Sequence, residues 1–138
     1  MAGNKILVIP CSGIGKVHGL LGREATYQAL EKQSSRAETM CLAKLVTGDA
    51  AAVTAVKDAA CVTIDGCAKM CACKNVEMAG GKVARQLRVA DAFRNHRGAR
   101  PGRAGGLTEE GWTIAAELAD EIIDAIKSIE ADEEVGDD

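Results

Sequence analysis

A chain of 138 residues with 47% hydrophobic content and a formal net charge of −3 fits one soluble domain around a single core. Tyr27, Phe93 and Trp112 are its only aromatic residues, so alanine and aliphatic side chains must fill that core, which suits buried parallel strands under helices. No run approaches the roughly 18 apolar residues of a membrane span, and the apolar stretch ending at Pro10 is too short for a signal-peptide core. The expectation is a cytoplasmic protein.

Residues 5–9, apolar without a break from Ile6, form a run stopped by Pro10, the pattern of a buried parallel strand. A glycine-containing turn follows Cys11, and the spacing of Val17, Leu20, Leu21, Ala25 and Leu30 predicts a helix over 17–33. Residues 37–43 predict a short second strand ending near Cys41, and Asp49 is placed to cap a helix reaching about Lys57. A third strand is predicted over 60–64, an Asp65-Gly66 turn, and a helix from Cys67 to about Ala79, stopped by Gly80-Gly81. Residues 83–90 predict a fourth strand, and 95–106 a loop rich in glycine and arginine. Thr108 opens a last helix whose buried stripe is Ile114, Leu118, Ile122, Ile126 and Ile129. This alternation predicts one α/β domain over 1–129, an open, mostly parallel sheet of about four strands with helices on both faces, Rossmann-like or flavodoxin-like. Residues 130–138 read as a frayed acidic C-terminal tail.

Charge is unevenly spread. Residues 82–103 carry seven Lys or Arg against Asp91 alone, whereas from Glu130 onward there are six acids and no base. Nucleic-acid modules pair basic residues with stacking aromatics, which this chain lacks, so nucleic acid is not the expected partner. Arg94, Arg97, Arg100 and Arg103, three residues apart, make the stretch 94–103 a candidate dock for an acidic protein; otherwise it is a solvated loop.

Six cysteines, Cys11, Cys41, Cys61, Cys67, Cys71 and Cys73, are many for a chain without export signals, and in a reducing compartment point to metal or thiol chemistry. Ligands of open α/β sheets bind beyond the carboxyl ends of the strands. Cys11 follows the first predicted strand, Cys41 ends the second and Cys67 follows the third, so these thiols should converge. Cys67 and Cys71, four apart, would share one face of the predicted helix, with Cys67 in the first turn where the dipole favours thiolate. Together Cys11, Cys41, Cys67 and Cys71 suit tetrahedral zinc or an iron–sulfur cluster equally. Cys73 is an additional candidate, Asp65 a helix cap or a carboxylate behind the ligands, and Cys61 an ordinary buried residue.

Other motifs fail at one or two positions. Ser12-Gly13-Ile14-Gly15-Lys16 resembles a phosphate loop, but Pro10 and Val17 stand where the motif needs Gly and Ser or Thr. His18 stands where the dinucleotide fingerprint needs its third glycine, and Val17 where a tyrosine-phosphatase loop needs arginine. His18 is a ligand candidate or, as is commoner, a surface or satisfied histidine, and His96 in the basic loop has no ligand spacing around it.

Pro10-Cys11-Ser12-Gly13, Cys41-Leu42-Ala43 and Asp65-Gly66-Cys67 with Cys71 resemble the DGC family, named for its Asp-Gly-Cys motif and described as zinc-binding. The resemblance covers about residues 5–95 and implies that Cys11, Cys41, Cys67 and Cys71 are the family's four cysteines. Lys44-Leu45-Val46 and the extra Cys73 depart from the family pattern. Two function classes follow. One is a zinc or iron–sulfur binding protein serving a partner enzyme as subunit or carrier. The other is a thiol redox enzyme or sulfur carrier working through Cys67, Cys71 or Cys73; it lacks a histidine tied to any cysteine, so catalysis is the less expected of the two.

Overall fold

The computed structural model describes residues 6–11, 16–32, 37–66, 70–103 and 105–136, and side chains up to residue 132. In chain order these form β1 (Ile6–Pro10), α1 (Val17–Lys32), β2 (Ala37–Thr39), α2 (Leu42–Val46), α3 (Ala50–Asp58), β3 (Ala60–Asp65) and α4 (Cys71–Met78). There follow β4 (Lys82–Arg88), α5 (Val89–Ala92), β5 (Gly102–Arg103), β6 (Gly106–Leu107) and α6 (Glu109–Gly136). The main sheet has the order β2-β1-β3-β4 and every pairing in it is parallel. The predicted α/β architecture is therefore the observed one.

Alternation along the central strands divides the core in two. Ile6, Val8, Val62 and Ile64 face a core closed by α1, α5 and α6, in which the predicted stripe Ile114, Leu118, Ile122, Ile126 and Ile129 is fully buried. Leu7, Ile9 and Cys61 face a second core closed by Leu42 and Leu45 of α2, Ala52 and Val56 of α3, and Ala72 and Val76 of α4. On α1 the residues turned fully inward are small, Gly19, Gly22, Ala25, Thr26 and Ala29 around Leu21, while Val17, Leu20 and Leu30 are half-buried. Small residues let the helix lie close, and Gly22 sits where an added Cβ would already touch Ile64.

Four expectations are corrected. The second strand ends at Thr39, because Cys41 N-caps α2 and the chain turns helical at Leu42. The helix expected from Cys67 begins at Cys71, for a reason found at Asp65 below; residues 67–69 lie outside the described ones, as do Lys5 and Gln33 at the ends of the first strand and helix. The loop 95–106 is not featureless: β5 pairs antiparallel with β6. The acidic end is helical through Gly136, and Asp132 on it pairs with Arg85 at 2.7 Å.

That last contact depends on a bulge. Cys61 is opposite Val83 but Val62 is opposite Arg85, so Ala84 is an extra residue in β4. The insertion resets the alternation, and Arg85 and Leu87 fall on the α6 side. There the Arg85 guanidinium donates to Ala84 O, Ser128 Oγ and Asp132 Oδ2, each at 2.7 Å.

The long helix packs chiefly against α1 and closes the larger core with it, and Leu118 lies on that stripe with no exposure. Leu118→Ala is expected to cost about 2–5 kcal/mol, the range for a buried leucine that leaves a cavity. Urea unfolding checks this, and a loss under about 1 kcal/mol would mean that α6 is not packed as described.

Candidate metal centre

All four parallel strands end at one edge, and the order β2-β1-β3-β4 reverses direction between β1 and β3, where α/β folds place their ligands. Cys11 continues β1 by one residue, its amide donating to Ile64 O at 2.7 Å. This bond seats Cys11 beside the end of β3, and the residue is 8% exposed. Two residues past β2, Cys41 is exposed on the N-cap of α2. Both cysteines line one cleft of about 180 Å³, whose wall also takes Arg23 and Tyr27 from α1 and Met40 from the end of β2. Sequence reasoning missed Arg23 and Tyr27; their spacing of four on a helix that flanks the cysteine edge is the signal that could have found them.

Asp65 organises the neighbouring strand end. It is 1% exposed, and its carboxylate accepts from Ala72 N at 2.7 Å and Cys73 N at 3.3 Å. These are the amides a helix starting at Cys71 leaves without an internal partner. Asp65 thus caps α4 from six residues upstream, and the helix starts at Cys71 rather than Cys67. Burial pushes the Asp65 carboxyl up from its ordinary value, while the two amide hydrogen bonds and Lys74 pull it back. Met70 enters the helix with φ of 56°, a left-handed conformation that costs a non-glycine residue energy.

The late start changes the relation between two predicted ligands. Cys71 is the first residue of α4 and packs against the second core, and Cys73 reaches Glu77 Oε1 at 3.6 Å. Cys67 precedes the helix and lies outside the described residues, so the shared helical face expected for Cys67 and Cys71 is withdrawn. His18, in the first turn of α1, hydrogen-bonds Gly66 O at 3.1 Å, and His96 is paired with Glu117 at 2.6 Å. Beyond the site, Arg97, Arg100 and Arg103 are exposed on the loop before α6. Thr108 ties that loop down, donating from Oγ1 to Arg100 O at 2.6 Å and from N to Pro101 O at 2.9 Å.

A sequence model described as the DGC domain matches residues 7–125. The chain belongs to the DGC-domain family. No curated protein and no solved structure matches it.

Membership of the DGC-domain family points to metal binding. The donors at this edge have the right chemistry for a thiophilic ion, being thiols in preference to carboxylates or imidazoles. In this DGC domain the described part of the set is a pair, Cys11 and Cys41, in one cleft, with Cys71 on the adjoining helix start. Among the described residues no three His, Cys, Asp or Glu side chains assemble into a metal cage, and the described cysteines are all free of disulfides.

Cys61 stands apart from the DGC-domain edge, buried near the start of β3, with long Sγ contacts of 3.8 Å to Val56 O and Ala59 O. Burial pushes its thiol up to about 11 from an ordinary 9.0. The unfolded chain therefore loses this proton first, and stability falls as pH rises from about 9 towards 11. Between about pH 8 and about pH 10 the wild type should lose on the order of 1 kcal/mol more than Cys61→Ala, measured by urea unfolding. Equal losses would place Cys61 in water.

Proposed function

We propose that this DGC domain binds zinc through Cys11, Cys41, Cys67 and Cys71 and acts as an accessory or carrier protein for a partner. The observation that carries the reading is the cleft at the carboxyl edge of the sheet, where Cys11 and Cys41, from different strand ends, line one wall. Cys71 supports it from the start of α4, held in place by the Asp65 cap. Cys67 completes the set by its position in the Asp-Gly-Cys motif. Bound zinc would supply a closed tetrahedral centre with no redox chemistry of its own. Cys73 stays outside the set because its thiol is directed to Glu77 on its own helix.

Single replacement of Cys11, Cys41, Cys67 or Cys71 by serine should sharply lower zinc content in anaerobically purified protein, while Cys61→Ser leaves it near the wild-type value. In the zinc-loaded chain Cys73 should be the one of Cys67, Cys71 and Cys73 that is alkylated, as read by mass spectrometry before and after chelation. Equal zinc content in all five variants overturns the ligand set. A brown sample carrying iron and sulfide overturns the choice of metal. Rapid alkylation of Cys67 and Cys71 in loaded protein would put a reactive thiol in place of a ligand.

We further propose that the partner is an acidic protein docking on the basic loop 94–103. The exposure of Arg97, Arg100 and Arg103 and the anchoring of the loop by Thr108 support this; Arg94 is engaged with Asp91 at 3.3 Å. Changing these three exposed arginines to glutamate should abolish a complex that salt also weakens. Recovery of the same partner by wild type and triple variant leaves the loop a solvated surface.

A further inference from the structure

His18 is absent from the proposed ligand set, yet three contacts hold it in place beside the Asp65-Gly66 turn. First, its Nδ1 lies 3.1 Å from Gly66 O. A carbonyl oxygen can only accept, so Nδ1 must carry the hydrogen and, in the neutral ring, Nε2 the lone pair. Second, the ring of Phe93 stands 5.1 Å away, centroid to centroid, tilted by 43°, which limits rotation of the imidazole. Third, the turn lies directly on the helix: a Cβ added at Gly66 would come within 3.3 Å of His18 Cβ and 3.4 Å of His18 C. A glycine allows this approach, and a larger residue would push the turn away from α1.

We infer that His18 is the positioning residue of the Asp-Gly-Cys turn, holding the Gly66 carbonyl through its Nδ1–H. That carbonyl belongs to the planar peptide unit leading into Cys67, so holding its oxygen restricts the direction in which the chain leaves the sheet. His18 also joins this turn to α1, the helix whose Arg23 and Tyr27 line the Cys11 and Cys41 cleft. One helix then sets the spacing between the two halves of the cysteine edge. Groups placed behind metal ligands act in this way, by orienting what the metal touches. The inference rests on the proposed zinc site for its purpose, but not for its geometry.

Two measurements test it. In metal-free wild type labelled with 15N at histidine, long-range nitrogen–proton correlation should report His18 as the Nδ1–H tautomer. His18→Asn keeps an N–H near the Nδ1 position, whereas His18→Gln moves it to the Nε2 position and His18→Ala removes it. Competition with a chromogenic chelator should then find His18→Asn close to wild type in zinc affinity. His18→Gln and His18→Ala should be weakened about 10- to 100-fold, with Asn and Gln variants melting alike when metal-free. An Nε2–H tautomer in the wild type overturns the inference, as do equal affinities in all three variants. If the wild type binds no zinc, the zinc reading fails by itself and the tautomer alone decides whether His18 holds the turn. Should a variant fail to fold, the wild-type tautomer still decides.

Discussion

The parallel pairing of β1 with β3, buried from both sides, is the constraint on which the rest of the molecule depends. Parallel neighbours cannot be joined by a tight hairpin, so the chain must cross over through helices, and two buried faces need helices on both. The pairing runs from Ile6 opposite Ala60 to Pro10 opposite Ile64, and the Cys11 amide extends it by one bond. Because all strands point the same way, whatever follows each strand collects at one edge. With β2 beyond β1 on one side and β4 beyond β3 on the other, the connections part between the central strands. Cys11 and Cys41, thirty residues apart in sequence, come to one cleft there through topology.

The two faces of the sheet are unequal. Among the described residues the α1 and α6 side buries eighteen core residues without a cysteine, whereas the α2–α4 side buries nine and includes Cys61. Along β3 the residues alternating onto the poorer side become more polar towards the edge: Cys61, then Thr63, then Asp65, against Val62 and Ile64 on the richer side. Thr63 Oγ1 is buried and, among the described residues, without a hydrogen-bond partner. Such a group costs on the order of 1–3 kcal/mol. Asp65 recovers part of its burial cost through two amides, and Met70 adds backbone strain. Features that lower stability are thus concentrated next to the cysteine edge, the arrangement expected where a site and not the core decides the residues.

The long periodic segments were legible in the sequence because a single physical signal governs each. The apolar run of β1 and the five-residue stripe of α6 are both buried as their periods predict, and Asp49 caps α3 through Ala52 N at 3.1 Å. Non-local contacts were not legible. The start of α4 depends on Asp65, six residues before it, so local helix rules placed it at Cys67. The bulge at Ala84 leaves no mark in composition, yet it turns Arg85 towards Asp132 and the acidic end becomes an anchored helix. Of the site, the edge position of Cys11 and Cys41 could be read from the strands before them. The role of His18 could not, since its partner is a backbone carbonyl 48 residues away.

A metal at this edge would act on the weaker half of the molecule. Cys41 opens α2 and Cys71 opens α4, two of the three short helices that close the smaller core. Helices of five and eight residues have little stability of their own and depend on packing or on anchors at their ends. For α4 the anchor is Asp65, whereas α2 has no side-chain cap at all. Ligation through Cys41 would give α2 the fixed start that it lacks, and ligation through Cys71 would reinforce the start that Asp65 already provides. Because ligation energy is folding energy, the gain falls on the layer where apolar burial is least. The opposite layer, held by α1 and the 28 residues of α6, needs no such help. The cysteines therefore stand where a metal can complete the fold's second face as well as be carried by it.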